Sequence, residues 1–247
     1  MLYLKQFETE QEYNSYVEGD SLILPNVSFI TESSTGGIKF NPLPPSDPTN
    51  DYEYVDLGLP SGTLWAKCNI GAEKESDYGL YFAWGETVGY KDASSGKSFS
   101  PDDYKFENGD ACDGKFTKYD SSDNLTTLLP EDDAASVNMG GSWHMPSKEQ
   151  LEELINSSYT TTTWTIVNGI NGRLITSNTN GNTLFLPASG NCSWGSVRSI
   201  GSDGCYWSSS LNEDGPSSAW DLYFNSGYIN VSGGSRYDGL SVRGVMD

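Results

Sequence analysis

The chain has 247 residues, and its formal net charge of −20 sets 34 acidic side chains against 14 lysines and arginines. A surface this acidic repels phosphate backbones and anionic headgroups, which excludes nucleic acid and anionic membrane as partners. With 27 glycines and charged residues at only 19%, the composition also excludes a helical bundle, while seven Trp, fifteen Tyr and nine Phe are enough to dominate a sizeable core.

In chain order, Thr9-Glu10-Gln11-Glu12 is a capping box that opens a short helix carrying Tyr13, Tyr16 and Val17. SLILPNVSFI and IKF read as strands, with a turn at Ser33–Gly37. A segment of roughly forty residues rarely folds alone, so residues 1–41 are expected to dock or oligomerise. PLPPSDPTND, residues 42–51, has the proline spacing of a semi-rigid linker. No stretch has the apolar core of a signal peptide or the length of a membrane span.

Residues 52–247 read as one domain. YVDLGLPSGTLWAKCNIG gives strands on either side of a Pro60-Ser61-Gly62 turn, and residues 86–124 are polar and look like long loops. PEDDAASVNM begins a short helix with Pro130 at its first position and three acids at the positive end of its dipole. Ser147-Lys148-Glu149-Gln150 is a second capping box, before a helix whose apolar stripe is Leu151, Leu154 and Ile155. Beyond Asn156 the chain is strands only. Helices followed by a run of strands predict an α+β fold.

The stretch AWDLYFNSGYINVSGGSRYDG, residues 219–239, superimposes two patterns. Trp220, Leu222 and Phe224, then Ile229 and Val231, recur with strand period, and Asn225-Ser226-Gly227 turns the chain into a hairpin. Asp221, Tyr223, Tyr228, Asn230 and Ser232 would share the opposite face. Stiff aromatic area combined with small adaptable polar groups is the chemistry of an antibody paratope, against the plainer alternative of a solvated sheet face.

Catalytic chemistry finds little support. The single histidine, His144, reads as a packed or hydrogen-bonded side chain, which leaves no His-rich zinc site. The cysteines at 68, 112, 192 and 205 match no redox or metal spacing. Glu131-Asp132-Asp133, Asp102-Asp103 and Asp110 with Asp113 offer oxygens for calcium but match no EF-hand loop. No cofactor is expected, and no nucleotide-binding loop is present.

YVDLGLPSGTLWAKCNIGA, DYGLYFAWGET, EDDAASVNMGGSWHMPSKEQLEEL, FLPASG, YWSSSL and GLSVRGV occur in this order. In this the region 52–247 resembles a group of C-type-lectin-like domains of gut bacteria and their phages. The resemblance implies two helices around a small twisted antiparallel sheet with long loops, here with a small α/β appendage at the N-terminus. Some members of that group resemble targets of diversity-generating retroelements, which randomise Asn codons near the C-terminus. Carried onto this chain, the variable, ligand-binding positions would be Cys205, Asn212, Asp214, Ser217, Ser218, Asp221, Tyr223, Tyr228, Asn230, Ser232, Gly233, Gly234, Ser235, Tyr237 and Asp238. Trp220, Leu222, Phe224, Val231, Arg236 and Arg243 would belong to the fixed scaffold. Gly244 departs from the group's usual proline, and the lectin calcium motif is absent, so calcium-dependent sugar binding is not implied.

The function implied is a receptor-binding protein of a phage tail fibre, with a bacterial surface or pilus adhesin as the alternative. Its partner would be a protein or glycan on a cell surface, and the chain would assemble as a homo-oligomer such as a trimer. The fold group also includes formylglycine-generating enzymes, whose active pair would have to be Cys192 and Cys205. A reactive thiol needs an electropositive setting, and little beyond Arg198 supplies one.

Overall fold

The structure is a computed structural model that describes residues 52–92, 96–108, 116–120 and 122–247, with the backbone alone of 27–30 and 39–42. The chain divides into two compact units, Met1–Pro48 and Thr49–Asp247. In the first, β1 (Val27–Ile30) pairs antiparallel with β2 (Lys39–Pro42). The helix expected from Thr9 and the proline-rich 43–51 lie outside the described residues.

In the second unit β3 (Tyr54–Asp56) and β4 (Leu64–Ala66) flank the expected Pro-Ser-Gly turn. After β5 (Tyr81–Phe82) the described residues hold a 3-10 turn, Pro101–Asp103, and two α-helices, α1 (Ala134–Met139) and α2 (Lys148–Leu154). A meander follows, of β6 (Thr160–Val167), β7 (Ile170–Ser177) and β8 (Thr183–Pro187). β9 (Asn191–Ser193) and β10 (Ser196–Arg198) form a small hairpin. The C-terminal region holds β11 (Gly204–Leu211), β12 (Ser218–Phe224), β13 (Ile229–Ser235), β14 (Leu240–Ser241) and β15 (Val245–Met246). The largest sheet has the order β13-β12-β11-β14-β5, which leaves β13 at an edge.

These elements overturn the α+β lectin-like expectation. The fold is mostly β, with 37% strand against 9% helix, and among the described residues its strands form several small sheets instead of one sheet between two helices. The helices are short for local reasons. Asp133, not Pro130, caps α1 by accepting a hydrogen bond from the Ser136 amide, so Pro130 to Asp132 form a turn outside the helix. Gly140, with φ of 70°, then stops α1 after six residues. In α2 the Ser147–Gln150 capping box forms as the sequence predicts, and Leu151 and Leu154 are buried. Past Ile155, four consecutive threonines favour the extended chain of β6.

Aromatic side chains, more than helices, fill the interior. The described residues of 86–124 hold one 3-10 turn, Pro101–Asp103, and isolated bridges, and they contribute Phe99, Tyr104, Phe106, Phe116 and Tyr119 to one core cluster with Trp84, Trp143 and Trp207. A second cluster joins Trp65, Leu151, Leu154, Leu186, Tyr206, Leu222 and Phe224. The pairing of β11 with β12 puts these clusters on opposite faces of the large sheet. Cys205, Trp207 and Ala219 face the first, and Tyr206, Leu222 and Phe224 face the second. Phe224 stacks on Tyr206 at 5.9 Å, and Gly204 leaves room for its ring, since a Cβ there would stand 2.1 Å from Phe224 Cζ.

Two buried arginines tie the loops to this frame. Arg236 donates to the Tyr104 hydroxyl and to the carbonyls of Lys118, Tyr119 and Pro216. Arg243 donates to Asn69 Oδ1 and to the carbonyls of Ala66, Lys67 and Phe185. Neither head meets a carboxylate among these bonds; convergent carbonyl dipoles replace its water. Burial lowers the pKa of both arginines.

Candidate functional site

The hairpin β12–β13 forms with the register that the alternation predicts, pairing Phe224 with Ile229, Leu222 with Val231 and Trp220 with Gly233. Its turn is pinned by Asn225, whose Oδ1 accepts from the amides of Gly227 at 2.8 Å and Tyr228 at 3.2 Å. This turn places the Tyr228 ring 5.5 Å from Tyr223, with Asn230 directly opposite Tyr223 across the strands. Tyr228 is 53% exposed and Asn230 is exposed, while Tyr223 rests partly against the first core cluster. Two stiff aromatics and an amide therefore stand at a sheet edge on a backbone that a double-sided core holds still.

The expected outward face is only partly open. Asp221 is 4% exposed and accepts a hydrogen bond from Ser232 at 2.9 Å. Its carboxyl is pushed up to about 6 by burial, opposed by the Ser232 bond and reinforced by the nearby charge of Asp238. Asp238 is raised by burial too, against a bond from Ser193 and the charge of Arg198, and its Oδ1 is buried without a partner. Cys205 is buried beside them. The physical reason is that this face packs against the first core cluster near β11 and opens only toward the edge strand.

The other predicted positions scatter. Asn212, Asp214, Ser218, Gly233 and Ser235 gather at the far end of the hairpin, near Trp220 and on the opposite face from Tyr223. Gly234 lies against the indole of Trp207, where a Cβ would meet the ring at 3.0 Å. The Ser217 carbonyl accepts the Arg236 amide. Tyr237 contacts Trp194 edge-on at 6.4 Å. Trp194 is 58% exposed at the tip of the β9–β10 hairpin, outside the strand alternation that marks the other positions. The signal for it in the sequence is a bulky aromatic in the turn Ser193-Trp194-Gly195.

Trp220 itself lies on the face of Leu222 and Phe224, as its spacing predicts, but it is only half-buried. The Lys148 ammonium sits 3.9 Å from its ring centroid. Around them is a groove of about 450 Å³ whose walls include Thr126, Ser147, Glu149, Ser210, Asn212 and Asp214. Nothing in the strand alternation points to Thr126 or Glu149, because Thr126 arrives from a loop and Glu149 from the first turn of α2.

The remaining candidate groups are bonded within the fold or buried. His144 Nδ1 lies 2.9 Å from the Met145 carbonyl, and Nε2 is 3.4 Å from Asp247. Asp132 bonds to Lys105, Lys118 and Tyr119, and these bonds outweigh burial to lower its pKa. Asp110 and Asp113 lie outside the described residues, as does Cys112. Among the described residues, no three His, Cys, Asp or Glu side chains are grouped to hold a metal. Burial, together with the charges of Asp92 and Asp238, pushes the Cys192 thiol up to about 12. Cys205 is raised by burial and by Asp221, Asp203 and Asp238. Both thiols are therefore protonated at neutral pH, the opposite of an activated pair.

Residues 170–245, less than a third of the chain, match a family described as a domain of unknown function, DUF8237. No curated protein and no solved structure matches the chain. The matched stretch runs from β7 to the start of β15 and includes the whole β12–β13 hairpin.

Proposed function

We propose that this is a non-enzymatic receptor-binding protein, of the kind carried on a phage tail fibre, that recognises a cell-surface ligand with the edge hairpin β12–β13. The observation that carries the reading is the Tyr223–Tyr228 pair, 5.5 Å apart and set beside the exposed Asn230 on a pinned turn. Tyrosine offers contact area at small entropic cost, and the rigid turn limits what is lost on binding. Tyr223, Tyr228 and Asn230 are also residues that Asn-codon mutagenesis reaches, so the same face suits diversification. The test is binding of the fluorescently labelled full chain to cells of gut bacteria. Saturable binding that weakens by roughly 1–3 kcal/mol in Tyr223→Ala or Tyr228→Ala supports the assignment. Equal affinity of both variants and the wild type overturns it.

A further inference from the structure

We infer that the groove beside Trp220 is a second binding site, for a neutral saccharide unit. Its lining comes from four separated segments: Thr126-Thr127, Ser147 to Glu149, Ser210 to Asp214, and Trp220. Each is held by the fold. Leu211 donates its amide to the Thr126 carbonyl, the Lys148 amide donates to Ser210 Oγ, and Asn212 Oδ1 accepts from the Asp214 amide. Across the strands from Trp220 stands Gly233, which has no side chain to cover the indole. A volume of about 450 Å³ is in the range of small-ligand pockets.

The lining selects the ligand class. An apolar ligand would strip water from Ser210, Asn212, Glu213 and Asp214 and return no hydrogen bonds. An anion would meet Glu149, Glu213 and Asp214 on a chain of net charge −20. A cation would meet the like charge of Lys148, whose ammonium lies over the Trp220 ring and 3.7 Å from Glu152, a repulsion that a neutral ligand does not feel. A neutral ring bearing hydroxyls satisfies every wall. Its C–H face rests on the indole, whose ring face is electronegative. Its hydroxyls bond to the Asn212 amide, the Asp214 and Glu149 carboxylates and the Ser210 hydroxyl. The flexible Lys148 head gives up the ring face and turns its donors onto the same hydroxyls.

The experiment is a microarray of neutral and charged glycans probed with the labelled full chain, followed by calorimetric titration of the strongest neutral glycan retained. The expected result is retention of neutral glycans, with affinity falling at least tenfold in both Trp220→Ala and Asp214→Asn. Asp214→Asn changes one exposed turn carboxylate and so reads the groove even where Trp220→Ala lowers stability. Absence of neutral glycans among those retained overturns the inference, and so does wild-type affinity in Asp214→Asn and Trp220→Ala together. Tight binding of polylysine with no neutral glycan retained also overturns it, in favour of a cation site. Trp220 and Tyr223 lie on opposite faces of the sheet, so this result is read independently of the cell-binding experiment.

Discussion

The guanidinium carbon of Arg236 lies 3.9 Å from the centroid of the Phe116 ring, and the arginine is completely buried. One side chain thus joins the C-terminal end of the edge strand to a loop more than a hundred residues earlier. Stacking supplies part of the attraction, and the bonds to the Lys118, Tyr119 and Pro216 carbonyls fix the orientation. Arg236→Ala leaves these acceptors unpaired beside a large cavity, for an expected loss of roughly 4 kcal/mol or more. Arg236→Lys keeps the charge and loses the planar fork, and should fall between the wild type and Arg236→Ala. Urea unfolding followed by tryptophan fluorescence measures both.

Trp220 and Phe224 share a strand face but differ in depth. Phe224 is fully buried against Tyr206, whereas Trp220 sits half-exposed beneath Lys148. Phe224→Ala should cost about 3–5 kcal/mol as a core cavity. Trp220→Ala should cost less than half as much, because water can fill much of the space vacated. Equal midpoint shifts in denaturant for the two variants would contradict the depths described.

Asp221 makes stability depend on pH in an unusual direction. Its carboxyl titrates near 6 in the fold, above the ordinary 3.8, so the native state holds its proton where the unfolded chain has lost it. Stability from this group is full below about pH 4, declines as pH rises to about 6, and is constant beyond. Asp238, raised in the same direction, adds to the decline. Raising this carboxyl from 3.8 to about 6 corresponds to about 3 kcal/mol of stability at pH 7. Asp221→Asn keeps an acceptor for Ser232 and removes the charge, so it should be more stable than wild type at pH 7 and nearly equal at pH 4. Thermal melts at these two values decide it.

The adjacent glycines Gly233 and Gly234 should respond unequally to a side chain. At Gly234 a Cβ presses on the Trp207 indole, and the ring is locked by its bond to the Phe82 carbonyl. Gly234→Val should lose about 1–3 kcal/mol by overpacking. At Gly233 the nearest atom is the Asn212 amide nitrogen at the end of a short side chain on a turn, which can move aside. Gly233→Ser should fold with near wild-type stability. If the region diversifies, population sequencing should find Gly233 varied and Gly234 held small.

Strand positions were legible where periodicity is strong. The hairpin register, the Ser147 capping box and the alternation of Trp220, Leu222 and Phe224 against Asp221 and Tyr223 all follow from residue spacing. The start of α1 is ambiguous in the sequence because Pro130 and Asp133 are both acceptable near a helix start, and only the Ser136 and Met145 amides choose the Asp133 carboxylate. The fold class departs from the α+β expectation because two short helical patterns carry the same local signal whether or not they form a layer.

The sequence by itself determined which side chains of the hairpin point together, since strand period is local and binary. It could not determine which of the two faces is open, because that depends on loops brought from far along the chain. Phe99, Tyr104 and Phe116 close the face that holds Asp221, and α2 partly covers the face that holds Trp220. The tertiary structure alone decided that Asp221 is buried, that Trp220 borders a polar groove, and that Tyr223, Tyr228 and Asn230 are left together at the edge. Covering a face is a matter of volume filled from elsewhere, and no short-range pattern encodes it.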